Sequence, residues 1–162
     1  MLSEELVGLA AETGRMLDAR GWRMASAESC TGGLVSALVT EIAGSSAWFE
    51  RGFVTYSNEA KIELLGVRPQ TLADHGAVSE ETVIEMVSGA LLHSRANVAV
   101  AISGIAGPAG GTAQKPVGTV CLAWSTRNGP QVAVTRHYQG DRRAVRQQAA
   151  RDALIGLLKR AE

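Results

Sequence analysis

The stretch Ala27-Glu28-Ser29-Cys30-Thr31-Gly32-Gly33 separates a short apolar run from a helical pattern, and its reading decides the fold. Residues 22–27 read as a strand. Residues 33–41 read as a helix, with Leu34, Val35, Leu38 and Ile42 forming its apolar stripe. Three candidate nucleophiles, Ser29, Cys30 and Thr31, stand between the two, and Gly32 and Gly33 let a ligand approach the backbone closely. Free amide N–H groups and the positive dipole end of the helix are expected beside them, holding an anionic substrate near a nucleophile.

Working outward, Ser3 is an N-cap for a helix over residues 4–20, and Gly21 sits where the chain leaves it. Phe53, Val54 and Tyr56 have strand propensity, and Ser57-Asn58-Glu59 then offers capping side chains to a helix carrying Ala60, Ile62, Leu64 and Leu65, with Lys61 in its first turn. Pro69 starts a short helix to His75, and Ser79 caps another to about residue 95 with Val78 and Val83 as its hydrophobic staple. Residues 98–102 are uninterruptedly apolar, as in a central strand covered on both faces. A long glycine-rich loop follows, from Gly104 to Gly118, and loops of that length inside a compact domain are usually functional. Residues 119–124 and 132–138 form a hairpin about Arg127-Asn128-Gly129-Pro130, and Asp141 caps a last helix. The expected architecture is α/β, a three-layer αβα sandwich around one mixed sheet of about five strands, with residues 1–162 as a single domain. Ser29, Tyr56 and Ser103 each follow a strand, so one cleft at the strands' carboxyl ends collects them.

Lysine plus arginine equal aspartate plus glutamate at 16 each, so no basic field is available for nucleic acid or an anionic membrane. The acidic opening Met1-Leu2-Ser3-Glu4-Glu5 is unlike a secretory signal, and no apolar run approaches the roughly 20 residues of a membrane span, so a cytoplasmic protein is expected. Cys30 and Cys121 fit no metal-ligand spacing and read as free thiols.

A nucleophilic serine needs a base. His75, His93 and His137 fall at no strand end and read as structural. Lysine is the other solution if its pKa is lowered, and Lys61, in the first turn of a helix, faces the wrong end of the dipole for a cation. Cys30 is intrinsically the better nucleophile, but residues leaving a strand alternate, so a Ser29 facing the cleft sends Cys30 into the core. Glu28 reads either as a carboxylate orienting donors or as a cap. Arg142 and Arg143 read either as phosphate ligands or as a solvated first turn, and Trp48, Phe49 and Tyr56 as ring-stacking or core residues. A binding module that keeps the cleft without turnover is the alternative to an enzyme.

Four stretches, Ala27 to Gly33, Tyr56-Ser57-Asn58-Glu59-Ala60-Lys61, Gly76-Ala77-Val78-Ser79 and Ser103 to Pro108 with Lys115-Pro116-Val117-Gly118-Thr119-Val120, closely resemble the CinA C-terminal domain family in order and spacing. The resemblance implies hydrolysis of the carboxamide of nicotinamide mononucleotide, giving nicotinate mononucleotide and ammonia. It also implies a homodimer, with no metal or cofactor. On this sequence it makes Ser29 the nucleophile, Lys61 the general base and Tyr56 an assisting hydroxyl. The oxyanion is expected at backbone N–H groups near Thr31 to Gly33. Glu28, Thr31, Gly32, Gly33, Ser46, Ser103, Gly104 and Gly107 are expected substrate contacts, and the phosphate is expected at a glycine loop or at Arg143. The larger N-terminal nucleotide-processing domain of many family members is not in this sequence, so its pyrophosphatase activity is expected to be absent.

Overall fold

In the computed structural model, which describes residues 2–162, the chain runs α1 (Glu4–Ala19), β1 (Met24–Glu28), α2 (Leu34–Thr40), a 3-10 turn (Ser45–Ala47), β2 (Phe49–Val54), α3 (Asn58–Leu65), α4 (Pro69–His75), α5 (Glu80–Leu92), β3 (Val98–Gly104), β4 (Thr119–Thr126), β5 (Gln131–His137) and α6 (Arg142–Ala161). Short polar side chains start the helices as expected. Ser3, Ser57, Ser79 and Asp141 accept from the N–H groups of Leu6, Ala60, Thr82 and Ala144 at 3.3, 3.0, 3.1 and 2.9 Å. β1 begins two residues later than the apolar run suggested. Trp22 and Arg23 instead cross from α1 to the sheet, and the Arg20 guanidinium lies 3.7 Å over the Trp22 ring. β2 starts at Phe49 and stops at Val54, which leaves Tyr56 beyond the sheet.

The sheet is mixed, in the order β2-β1-β3-β4-β5, with β1 parallel to both neighbours and β3, β4 and β5 antiparallel. Its two faces differ in bulk. Met24, Val98, Val100, Ile102, Val120, Leu122 and Trp124 pack with α1, α2 and α6. The alternate positions Ala25, Ala27, Ala99, Ala101, Cys121 and Ala123 pack under α5. Small side chains on that face let the helical layer sit close, and Gly89 of α5 lies against the Leu65 carbonyl with no space for a Cβ. On the bulky face the Trp124 indole fits against Gly156 and donates to the Ala153 carbonyl at 3.0 Å. Helices on both faces make the three-layer αβα arrangement expected from sequence. Among the described residues, no helix is long and apolar enough to cross a membrane.

The register aligns the three parallel strands at their carboxyl ends: Glu28 lies between Val54 and Ile102. Ser29 and Thr55 therefore leave the sheet at the level where β3 carries on through Ser103 to Gly104, and that end is where an open α/β sheet binds ligands.

Candidate active site

Alternation along β1 sorts the residues at its tip. Ala25 and Ala27 face the α5 layer, and Ser29 continues that parity. Met24 and Cys30 join the opposite core, and Glu28 turns the same way toward α2. Ser29 thus points toward the layer that holds α3. In α3 the buried positions are Lys61 and Leu65, one helical turn apart, so a lysine occupies the core-facing stripe. Lysine is almost never fully buried without partners, and Lys61 is 1 % exposed.

Its partners are all at the tips of β1 and β2. Lys61 Nζ lies 3.1 Å from Ser29 Oγ, 3.0 Å from the Thr55 carbonyl, 3.1 Å from the Tyr56 carbonyl and 3.5 Å from that of Ser57. Ser29 Oγ is also 3.4 Å from the Tyr56 carbonyl. Burial holds the Lys61 amine below its ordinary pKa. Desolvation is a stronger lever than the helix-dipole effect expected from sequence. Burial also pushes the Cys30 thiol up to about 11, away from the thiolate that a helix start was expected to favour.

Ser29 and Lys61 open into a cleft of about 280 Å³. Tyr56, Ser103, Gly104 and Gly107 share its wall. Cys30, Asn58, Ala77, Val78 and Arg142 also line it, although Cys30 is almost wholly buried. Ala77 and Val78 lie within one of the stretches that carried the resemblance, and Arg142 was read only as a phosphate ligand or a solvated residue. Larger cavities lie elsewhere, so size does not mark the site; the buried amine beside a hydroxyl does.

Several expected contacts are corrected. Glu28 is fully buried, and its carboxylate accepts from the N–H groups of Val35 and Ser36 at 2.9 and 3.0 Å and from the Ser36 hydroxyl at 2.9 Å. It caps α2 from inside and does not reach the cleft. For the same reason the start of α2 is not free to hold an outside anion. Thr31 is fully buried and makes no wall of the cleft, and Gly32 and Gly33 also lie off it, with Gly32 beside the Arg146 guanidinium. Their positive φ values of 57° and 104° turn the chain sharply into α2. Ser46 sits in the turn before β2, at the amino ends of the strands and so at the far end of the sheet from Ser29. Arg143 lines a neighbouring cleft, and Arg142 takes its place at this one. The Tyr56 hydroxyl accepts from Arg142 Nη2 at 3.3 Å, and it is the Tyr56 carbonyl that meets the amine. Among the described residues no cluster of three His, Cys, Asp or Glu side chains could hold a metal ion.

Fold and site together define a three-layer α/β protein with a buried lysine amine in hydrogen-bond reach of a serine at the carboxyl ends of parallel strands. The chain belongs to the CinA C-terminal domain family, whose model matches residues 7–161. It is 57 % identical to the nicotinamide-nucleotide amidohydrolase PncC of Escherichia coli strain K12 over 95 % of this chain and 93 % of that protein. The protein of the same description from Enterobacter agglomerans is 55 % identical, over 93 % of this chain and 92 % of its own length. A solved competence/damage inducible protein, CihA from Agrobacterium tumefaciens, superposes with a TM-score of 0.95 at 46 % identity, over 98 % of this chain and 97 % of that one.

Proposed function

We propose that this chain is a nicotinamide-nucleotide amidohydrolase, hydrolysing nicotinamide mononucleotide to nicotinate mononucleotide and ammonia. Near-full-length identity to proteins of that description supports the substrate class. The observation that carries the chemistry is the 3.1 Å approach of the buried Lys61 amine to Ser29 Oγ.

A neutral amine has two N–H donors and one lone pair. The carbonyls of Thr55 and Tyr56, at 3.0 and 3.1 Å, take the two donors, and the lone pair then faces the Ser29 hydroxyl. Lys61 accepts the hydroxyl proton as Ser29 Oγ attacks the carboxamide carbon. The tetrahedral oxyanion is met by a backbone N–H group at the start of the β1–α2 turn. Gly32 N–H is committed to the Ser29 carbonyl, those of Val35 and Ser36 to Glu28, and Thr31 and Gly33 lie off the cleft, so the donor left on its wall is that of Cys30. The Lys61 ammonium protonates the departing nitrogen, and ammonia leaves. Water, deprotonated by the same amine, then cleaves the acyl-enzyme and restores Ser29. Tyr56 acts through its carbonyl, and Ser103, Gly104 and Gly107 shape the opposite wall. Cys30, buried and with its thiol pKa raised, takes no covalent part.

The same proposal takes residues 1–162 as one catalytic domain that acts in the cytoplasm as a homodimer, where light scattering should give about twice 17.0 kDa. Product analysis with purified protein tests the reaction: nicotinate mononucleotide and ammonia should appear in equal amounts, whereas tight binding of the nucleotide with no product would make the chain a binding module.

A further inference from the structure

Beside the Ser29 cleft lies a larger open cavity of about 840 Å³, walled by Ala106, Pro108, Val117, Arg142, Arg143 and Arg146. Ala106 and Arg142 belong to both walls, so the two adjoin. We infer that this arginine cleft is the receptor for the substrate's phosphomonoester, with Arg143 as the residue that distinguishes a nucleotide from its nucleoside. The inference rests on the amidohydrolase reading for the identity of the nucleotide, and it resolves where the phosphate goes.

Three observations carry it. In a chain of zero formal net charge, three guanidinium groups gather at one cavity, and among the described residues none of the three has a carboxylate within ion-pair distance. One acid, Asp141, shares the cavity wall, and its carboxylate accepts from the Ala144 N–H. Next, Arg142 and Arg143 occupy the first turn of the 20-residue α6, which has no acidic residue there. Cations at that end of a helix are opposed by its dipole, and a bound dianion reverses the sign of that interaction. Finally, the three are not equally committed. Arg146 donates through Nε to the Cys30 carbonyl at 3.0 Å and through Nη2 to that of Thr31 at 3.1 Å. Arg142 donates to the Gly107 carbonyl at 2.8 Å and to the Tyr56 hydroxyl. Arg143 makes no side-chain hydrogen bond among the described residues and keeps its whole donor fork for a phosphate.

Size agrees. The Ser29 cleft, about 280 Å³, is at the small end of ligand pockets, which run to roughly 300–1,000 Å³. It takes the pyridine ring and its carboxamide, and the ribose phosphate continues past Arg142 into the second cavity. Arg146 is a positioning residue rather than the test residue, because it also holds the carbonyls of the nucleophile's turn.

The test compares wild type with Arg143→Gln on nicotinamide mononucleotide and on the nucleoside that lacks the phosphate. Arg143 is exposed, so folding is not at risk, and a thermal melt checks this. Losing charge-assisted bonds to phosphate should lower kcat/KM on the nucleotide by about 10- to 100-fold, mostly through KM, and leave the nucleoside rate unchanged. An equal fall on both substrates, or none on the nucleotide, overturns the inference. A second readout needs no turnover: ribose 5-phosphate should bind wild type by calorimetry, weaken with salt, and weaken by a similar factor in Arg143→Gln. If it binds so in a protein that releases no ammonia, the amidohydrolase reading fails and the phosphate cleft stands. If ammonia is released and Arg143→Gln changes neither binding nor KM, the cleft fails and the activity stands.

Discussion

Two helices start beside the reacting serine, and the chain treats their amino ends in opposite ways. The start of α2 is filled from within, because the buried Glu28 carboxylate takes the N–H groups of Val35 and Ser36 together with the Ser36 hydroxyl. The start of α6 is capped economically by Asp141 and flanked by arginines that open on a cavity. One end uses the protein's own anion to lock the turn that carries Ser29. The other leaves its positive charge for an anion from outside. On the proposed reading chemistry and recognition are built from different helices, and Arg146 reaches from α6 to the carbonyls of Cys30 and Thr31.

The largest expected effect separates the two regions. Removing the base by Lys61→Ala should lower kcat by about 10³-fold or more, yet leave ribose 5-phosphate binding at the α6 end intact. Loss of both together would merge regions that the structure keeps apart. Glu28→Ala comes next. It strands the buried Val35 N–H and the half-buried N–H and hydroxyl of Ser36, so the urea midpoint should fall by the equivalent of about 3 kcal/mol, with Glu28→Gln costing less because it keeps one acceptor oxygen. An unchanged midpoint would mean that the start of α2 does not depend on its internal anion.

The pH dependence sharpens the contrast, since the serine cleft contains a lysine held by burial below its ordinary pKa. Protonated Lys61 has no lone pair to accept the Ser29 proton, so kcat/KM should rise with pH, with a midpoint below the ordinary lysine value of 10.5. Stability follows the same sign. The folded chain releases this proton at lower pH than the unfolded chain does, so the unfolded state binds more protons between the two values. Stability therefore climbs as pH rises through that window, and the cost of the buried charge is fully present below it. Lys61→Met should flatten that climb in denaturation curves collected across the window. The smallest effect is expected at Cys30: Cys30→Ala should keep nearly full turnover and lose about 1 kcal/mol of stability, and a thiol reagent should leave activity unaffected at neutral pH.

Much of this was legible in the sequence because local chemistry and tertiary structure agree. Ser79 and Asp141 cap the helices their positions announce, residues 98–102 form the buried strand, and the parity of β1 sends Ser29 and Cys30 to opposite sides. What was not legible depends on distances across the fold. Glu28 has the composition of a ligand-binding carboxylate, and only the packing of α2 against β1 shows its bonds closing inward. Ser46 follows a helix that follows the motif, but the chain has by then returned to the amino ends of the strands. Arg142 and Arg143 are indistinguishable in a sequence, yet the 100° between successive helical residues directs one to the serine cleft and the other to its neighbour. Tyr56 promised a hydroxyl and instead supplies a carbonyl, because β2 ends at Val54 and the ring swings toward Arg142.

Ammonia release from nicotinamide mononucleotide by Ser29→Ala, alongside wild type, bears most directly on the claim that the serine beside the buried amine is acylated. Wild type should release ammonia steadily, and the variant should release none while still binding ribose 5-phosphate. Release by Ser29→Ala at the wild-type rate would contradict the account.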